Sequence, residues 1–249
     1  MAKKRIDAAT AVILHHYPYS ESSLLLDVFA HEFGRLVMIA RGARRGRSVL
    51  RGLLMSFAPL ELSWFGGGEV KTLAKAEWLG GIPLLSGKSL LVGYYLNELL
   101  LKLLPREDPH PQLFNAYLAA IRILAKGKTE AAELRRFERV LLRELGYGQE
   151  LEKIISSGLA VQAEQKYTVS PGYGVQLYQF SSDKVAPIIS GQSLLDMACD
   201  DYGRPLTMQE SKAMMRYLIN HYLGDQPLHS RRIFAQINPA STANKPPRV

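Results

Sequence analysis

A single cysteine, Cys199, occurs in the 249 residues. One thiol closes no intrachain disulfide and supplies no cysteine-based zinc site, and a chain with so little cysteine suits a reducing compartment. Long apolar runs are missing too. The most apolar window, SLLVGYYLNELLLKLL at 89–104, holds Asn97, Glu98 and Lys102 and is shorter than the roughly 18 residues that suggest a membrane span. It reads as a buried helix of a globular domain, and no membrane partner is expected. The N-terminal MAKKRIDAATAVILHH has only a short apolar run, broken by Thr10, and no small-residue cleavage pattern. No signal peptide is expected, and the expected location is the cytoplasm.

Catalytic patterns are also absent. The histidines at 15, 16, 31, 110, 221 and 229 form no i, i+4 pair and none adjoins the cysteine, so no metal or other cofactor is expected. No nucleophile elbow accompanies them. Gly87-Lys88-Ser89 matches the end of a phosphate loop, but the glycine required at position 82 is Ile82. The run reads instead as a helix start with Ser86 or Ser89 as cap, which weighs against the rival of a nucleotide hydrolase. Glu98, inside the apolar window, reads as a partly buried, hydrogen-bonded carboxylate and not as an acid catalyst. The expectation is a binding protein with no catalytic residues.

Acid is missing from one more place. Between Arg35 and Leu60 there is no Asp or Glu, while arginine occurs at 35, 41, 44, 45, 47 and 51 in a chain of net charge +8. The densest part is RGARRGRSVLRG, with glycines at 42, 46 and 52. A solvated loop usually mixes charge signs, whereas arginine offers a planar fork that suits phosphate and stacks on bases. A polyanion is the expected partner. The expected nucleic-acid contacts are Arg35, Arg41, Arg44, Arg45, Arg47, Arg51 and Lys71.

Residues 10–78 read as about five short strands, AVILHH, LLLDVFA, RLVMIAR, ELSWFG and EVKTLAKAEW, with turns at 17–20, HEFGR and FGGGE. That count suits a small closed barrel such as the OB-fold, whose binding surface adjoins the third strand. After the linker GGIPLLSG, helical periods dominate: 89–104, QLFNAYLAAIRILAKG, TEAAELRRFERVLLRELGYG, 192–199 and 207–223, with a small hairpin around PGYG. The fold class is α+β, a five-stranded OB barrel over 1–80 followed by a mainly helical domain over 81–237. Within the latter 151–190 is irregular, and 238–249 reads as a disordered tail. The apolar linker residues Ile82, Leu84 and Leu85 are expected to be buried between barrel and helices. On LRRFERVLLREL, Leu134, Phe137, Leu141 and Leu145 should face the core, leaving Arg135, Arg136, Arg139 and Arg143 as a basic face. Arg135/Arg139 and Arg139/Arg143 are like-charge i, i+4 pairs that Glu138 would offset in part and an acidic, hydrophobic peptide further; a solvated helix face is the alternative.

Five segments in order carry a family resemblance: HHYPYSESSLLLDVFAHEFGRLVMIARGARR, LRGLLMSFAPLELSWFGGGEVKTLAKAE, YYLNELLLKLLPREDPHPQLFNAYLAAI, LRRFERVLLRELGYG and LGDQPLHSRRIF. The chain resembles the RecO family of bacterial recombination mediators, closely over about 12–150 and thinly over 151–210. The resemblance implies an OB barrel and a helical domain, binding of single- and double-stranded DNA, and annealing of complementary strands. It also implies partnership with RecR and with single-strand-binding protein, help for RecA in loading on coated single strands, and a nucleoid-associated location. The acidic tail of single-strand-binding protein would meet Arg135, Arg136 and Arg139. Many members carry a four-cysteine zinc site after the helix ending in LGY; residues 151–180 here hold no cysteine, so ordinary packing must hold that segment. An RNA-binding OB-fold accessory factor and a scaffold with incidental basic charge remain the alternatives that the residues alone leave open.

Overall fold

The computed structural model describes residues 5–127, 131–179 and 186–237. Five strands, β1 (Arg5–Tyr19), β2 (Ser23–Ala30), β3 (Gly34–Ala40), β4 (Pro59–Phe65) and β5 (Val70–Trp78), close into a barrel in the order β1-β2-β3-β5-β4. All neighbours are antiparallel except β3 and β5. This is the five-stranded barrel expected from the alternating apolar pattern, and α1 (Leu50–Leu53) is a single turn between β3 and β4. β1 starts earlier than its apolar centre suggests because it serves two neighbours. Residues 5–12 pair with 59–65, and residues 11–19 pair with 23–30. Alternate side chains point inward, so Ile13, Leu26, Val28, Leu36, Met38, Leu60, Leu62 and Trp64 fill the barrel.

The register of β1 against β2 shifts between Ile13 and His15. Leu14 is thereby left out of the ladder, as at a bulge, and its carbonyl needs another donor. Asn97 supplies it. This residue lies on α2 (Gly87–Leu103), whose first turn is the Gly87-Lys88-Ser89 run with Ser86 as N-cap. Its amide nitrogen donates to the Leu14 carbonyl at 2.7 Å, and its amide oxygen accepts from the Tyr117 hydroxyl at 2.7 Å. Tyr117 belongs to α3 (Pro111–Ala125) and is fully buried. One side chain therefore joins the barrel to two helices. Phe29 on β2 meets Phe114 on α3 edge to face, and Gly93 leaves room on α2 for Phe57 and Leu85, which a Cβ would approach to 2.9 and 2.6 Å. Of the linker residues, Ile82 and Leu85 are buried, but Leu84 is 69% exposed.

The remaining elements are α4 (Ala131–Glu144), β6 (Lys166–Ser170), β7 (Gly174–Leu177), β8 (Ile188–Ser190), α5 (Gly191–Ala198), α6 (Pro205–Leu223) and α7 (His229–Ile237). The chain forms two compact units, Met1–Thr129 with Pro227–Val249, and Glu130–Gln226. The boundary read at residues 80–81 separates strands from helices, but not one unit from the other. α2 and α3 group with the barrel because their buried faces are turned to it, and α7 returns from the far end of the sequence to pack on α2. The second unit is thus inserted between α3 and α7. Within it, the segment read as irregular contains a three-stranded sheet, β7-β6-β8, with Tyr167, Val169, Val175 and Ile189 buried behind it. Nothing in 151–180 fits a four-cysteine zinc site. The tail read as disordered, 238–249, lies outside the described residues.

α7 is held by Glu98 of α2. The carboxylate accepts from the His229 and Ser230 amides at 2.8 and 2.9 Å and from the Ser230 hydroxyl at 2.6 Å, and it pairs with Lys102 at 3.0 Å. These donors include amides at a helix N-terminus that lack partners within the helix. Burial disfavours the ionised form, but the bonds from Ser230, His229 and Lys102 outweigh it and hold the Glu98 pKa down to about 2. Glu98 is therefore the hydrogen-bonded carboxylate that its apolar surroundings suggest.

Two outcomes follow from these contacts. Asn97→Ala leaves the Leu14 carbonyl and the Tyr117 hydroxyl without Asn97 and should lower stability by about 1–3 kcal/mol per unsatisfied group, seen as a lower urea midpoint. Glu98→Gln should lower Tm at neutral pH. A depressed folded-state pKa gives stability that is present above the ordinary glutamate value and fades as pH falls toward about 2. The Tm difference between wild type and Glu98→Gln should therefore shrink across that acid range, which calorimetry at several pH values measures.

Candidate nucleic-acid interface and docking pocket

The arginine-rich segment leaves β3 at Arg41 and runs to α1. It is pinned at one place. Ala43 is fully buried among the barrel residues, the Arg44 amide donates to the Ser22 carbonyl at 2.9 Å, and the Arg44 guanidinium donates to the Ser20 carbonyl at 2.9 Å. Turn hydrogen bonds from Arg45 to Gly42 and from Ser48 to Arg45 shape the rest. The side chains of Arg41, Arg44, Arg45, Arg47 and Arg51 are exposed, and none forms an ion pair among the described residues. The segment is thus an anchored arm that carries five uncompensated cations.

Two residues of the expected set do not belong with them. Arg35 donates to the Leu104 carbonyl at 3.0 Å and pairs with Asp27 at 3.3 Å, with both side chains at most 15% exposed. Lys71 is buried and holds Glu107 and the Gly68 carbonyl, each at 2.7 Å. Both bind the α2–α3 connection to the barrel, where Gly34 also passes so close that a Cβ would stand 2.1 Å from the Asp108 carbonyl oxygen. Each already has a carboxylate and a backbone carbonyl as partners, unlike the arginines of the arm.

The sequence reading missed the aromatic side of this surface. After the bulge, His15, Tyr17 and Tyr19 project to the outer face of β1. Tyr17 and Tyr19 are 43% and 51% exposed, and the His15 and Tyr17 rings meet at 4.4 Å. Tyr17 stands opposite Leu25, which stands opposite Ile39, and both are only partly buried. One end of this outer face is covered where Phe29 meets Phe114; the other, bearing the tyrosines, is open beside the arginine arm. Alternation in HHYPY is the signal that would have found them. Exposed aromatic rings beside arginines make a surface on which bases stack while phosphates are neutralised.

The inserted unit carries a cavity of about 630 Å³. Val140, Leu142, Met214, Met215 and Leu218 give it apolar walls, and Arg136, Arg139 and Arg143 stand at it. Arg136 pairs with Asp200 at 2.7 Å, which with hydrogen bonding as the chief cause keeps its guanidinium more firmly protonated than usual. Arg139 donates to the Met197 carbonyl and lies 3.4 Å from the Tyr202 hydroxyl. Arg143 is the most open of the three, 62% exposed. Arg135 is not part of this cavity. It is buried and paired with Glu138 at 2.8 Å. The expected core stripe was misplaced by part of a turn: Arg135, Phe137, Glu138, Leu141 and Leu142 are buried, while Leu134 and Leu145 are only partly so. Burying a charge is costly unless it is paired, and the i, i+3 carboxylate pairs this one.

Strand order and closure define a protein of the oligonucleotide-binding barrel class, joined here to a helical unit. Two family models match the chain: Recombination protein O N terminal over residues 6–82 and Recombination protein O C terminal over residues 85–232. A protein of Azoarcus sp. (strain BH72) named DNA repair protein RecO is 51% identical over 237 residues, covering 94% of this chain and 98% of that protein. Proteins of the same name from Dechloromonas aromatica (strain RCB) and Cupriavidus pinatubonensis (strain JMP 134 / LMG 1197) are 45% and 46% identical, covering 94% and 95% of this chain and 98% and 81% of their own lengths. The chain belongs to the RecO family, and its role lies in DNA repair and recombination.

The division between free and neutralised cations is testable. Changing Arg41, Arg45 and Arg47 together to Ala should reduce the steepness of log affinity for DNA against log salt by about 2–3, if each neutralises one phosphate. Arg35→Ala should leave that slope unchanged and lower stability instead, since it strands Asp27 in a largely buried site. Salt titrations by fluorescence anisotropy, paired with urea unfolding, separate the two.

Proposed function

We propose that this chain binds single- and double-stranded DNA through the barrel, anneals complementary strands, and helps RecA load on single strands coated by single-strand-binding protein, acting with RecR in the cytoplasm at the nucleoid. The observation that carries this reading is the anchored arm of unpaired arginines beside the open tyrosine face. Annealing requires no bond chemistry. It requires charge neutralisation so that two strands approach, and contacts that leave base edges free to pair.

The same reading gives the second unit its partner. An acidic peptide ending in an apolar residue and a carboxylate, which is the character of the tail of single-strand-binding protein, suits the cavity beside α4. Apolar walls accept the end group, and Arg139 and Arg143 face the acids. Arg136 contributes through its pair with Asp200, while Arg135 is withdrawn from the proposed contacts because Glu138 already neutralises it.

Annealing of fluorescent complementary oligonucleotides, naked and coated, tests the proposal. Arg139→Glu with Arg143→Glu should abolish binding of a tail peptide and annealing of coated strands while sparing naked strands. Equal loss in both reactions would place docking elsewhere. Tighter binding of RNA than of DNA of matched sequence would favour an RNA-binding accessory factor.

A further inference from the structure

The inserted unit carries a second, shallower groove of about 420 Å³, formed where the β6–β7 hairpin meets α6. Tyr173, Tyr217 and His221 bring aromatic rings to it, and Thr168, Ser170 and Gln176 bring hydroxyls and an amide. Among the described residues these three polar side chains form no hydrogen bond with the protein. Among the described residues no acidic side chain lines the groove. Tyr173 sits in the turn between the strands, with its amide bonded to the Ser170 carbonyl at 3.2 Å, and is 71% exposed. Its ring is presented to solvent beside the unused hydroxyls and amide of the groove.

Positive charge accompanies the rings. Lys212 and Arg216 are exposed on α6 and one turn apart, so they stand on one stripe of the helix. Arg216 precedes Tyr217 and lies about 100° from it around the helix, while Lys212 lies on the side away from His221. Neither cation forms an ion pair among the described residues. Aromatic faces, unused donors and acceptors, and an adjacent free cation are what an unpaired nucleotide needs: a surface for its base, partners for its edge and a counter-charge for its phosphate. A duplex offers the groove no splayed base.

We infer that this groove is a second single-stranded DNA site, separate from the barrel surface, taking an unstacked base against Tyr173 with the strand running on toward Arg216. The inference rests on the DNA-binding reading of the chain, and it gives a single chain two places for two strands.

A 5-iododeoxyuridine-substituted single-stranded oligonucleotide, photocrosslinked to the full chain and mapped by mass spectrometry, tests it. Crosslinks should appear in two peptides, one containing Tyr17 and Tyr19 and one containing Tyr173 or Tyr217. Tyr173→Ala should weaken single-strand binding at the groove roughly tenfold, slow annealing and leave duplex binding unchanged, while Tyr173→Phe keeps the ring and the affinity. The high exposure of Tyr173 keeps both variants folded. Crosslinks confined to the barrel peptide, or equal effects of Ala and Phe, overturn the second site and leave the DNA-binding reading standing. Absence of any crosslink together with absence of binding overturns both.

Discussion

The hydrogen bond from Asn97 to the Leu14 carbonyl is the contact on which the first unit turns. A bulge in β1 takes Leu14 out of the ladder and leaves its carbonyl in apolar surroundings. Only a donor from outside the sheet satisfies it, and α2 carries that donor at a buried position, oriented in turn by Tyr117. The bulge also sets which alternate residues after it face outward. His15, Tyr17 and Tyr19 face out because Leu14 is skipped, so the carbonyl that secures the helices and the rings that make an open aromatic face arise from the same irregularity.

The basic residues divide by what stands near them. Arg35, Lys71 and Arg135 have little-exposed side chains and meet carboxylates; the first two tie segments together, and the third pairs within its own helix. Arg41, Arg44, Arg45, Arg47 and Arg51 meet none among the described residues. Net charge alone would count all of these equally, yet only the second group retains a field that reaches an approaching polyanion. The acid-free composition of residues 35–60 thus has a local effect: no partner lies close enough in the chain to neutralise the arm, and the strands on either side are occupied with closing the barrel.

Much of this was legible in the sequence. Alternating apolar residues gave the five strands, and the acid-free arginine run marked the arm. Apolar surroundings identified Glu98 as a bonded carboxylate. What escaped depended on partners distant in sequence. Arg35 looks like its neighbours until Leu104 and Asp27 are placed beside it, and Lys71 until Glu107 arrives from the α2–α3 connection. On α4, an i, i+3 Arg–Glu pair has the same spacing on a surface as in a core, so the hydrophobic stripe was drawn part of a turn away. The cavity walls come from both α4 and α6, and no local pattern announces a pairing of helices so far apart in the chain.

The placement of α7 has a consequence for biosynthesis. The helix that completes the barrel-bearing unit is encoded after the whole inserted unit, and its contacts with Glu98 on α2 span more than half the chain. Domains usually fold from the N-terminus as they emerge from the ribosome, but here the Glu98 carboxylate lacks its helix amides until the inserted unit and the start of α7 have both been made. A ribosome that stops between α3 and α7 therefore leaves its defect in the unit that was started first.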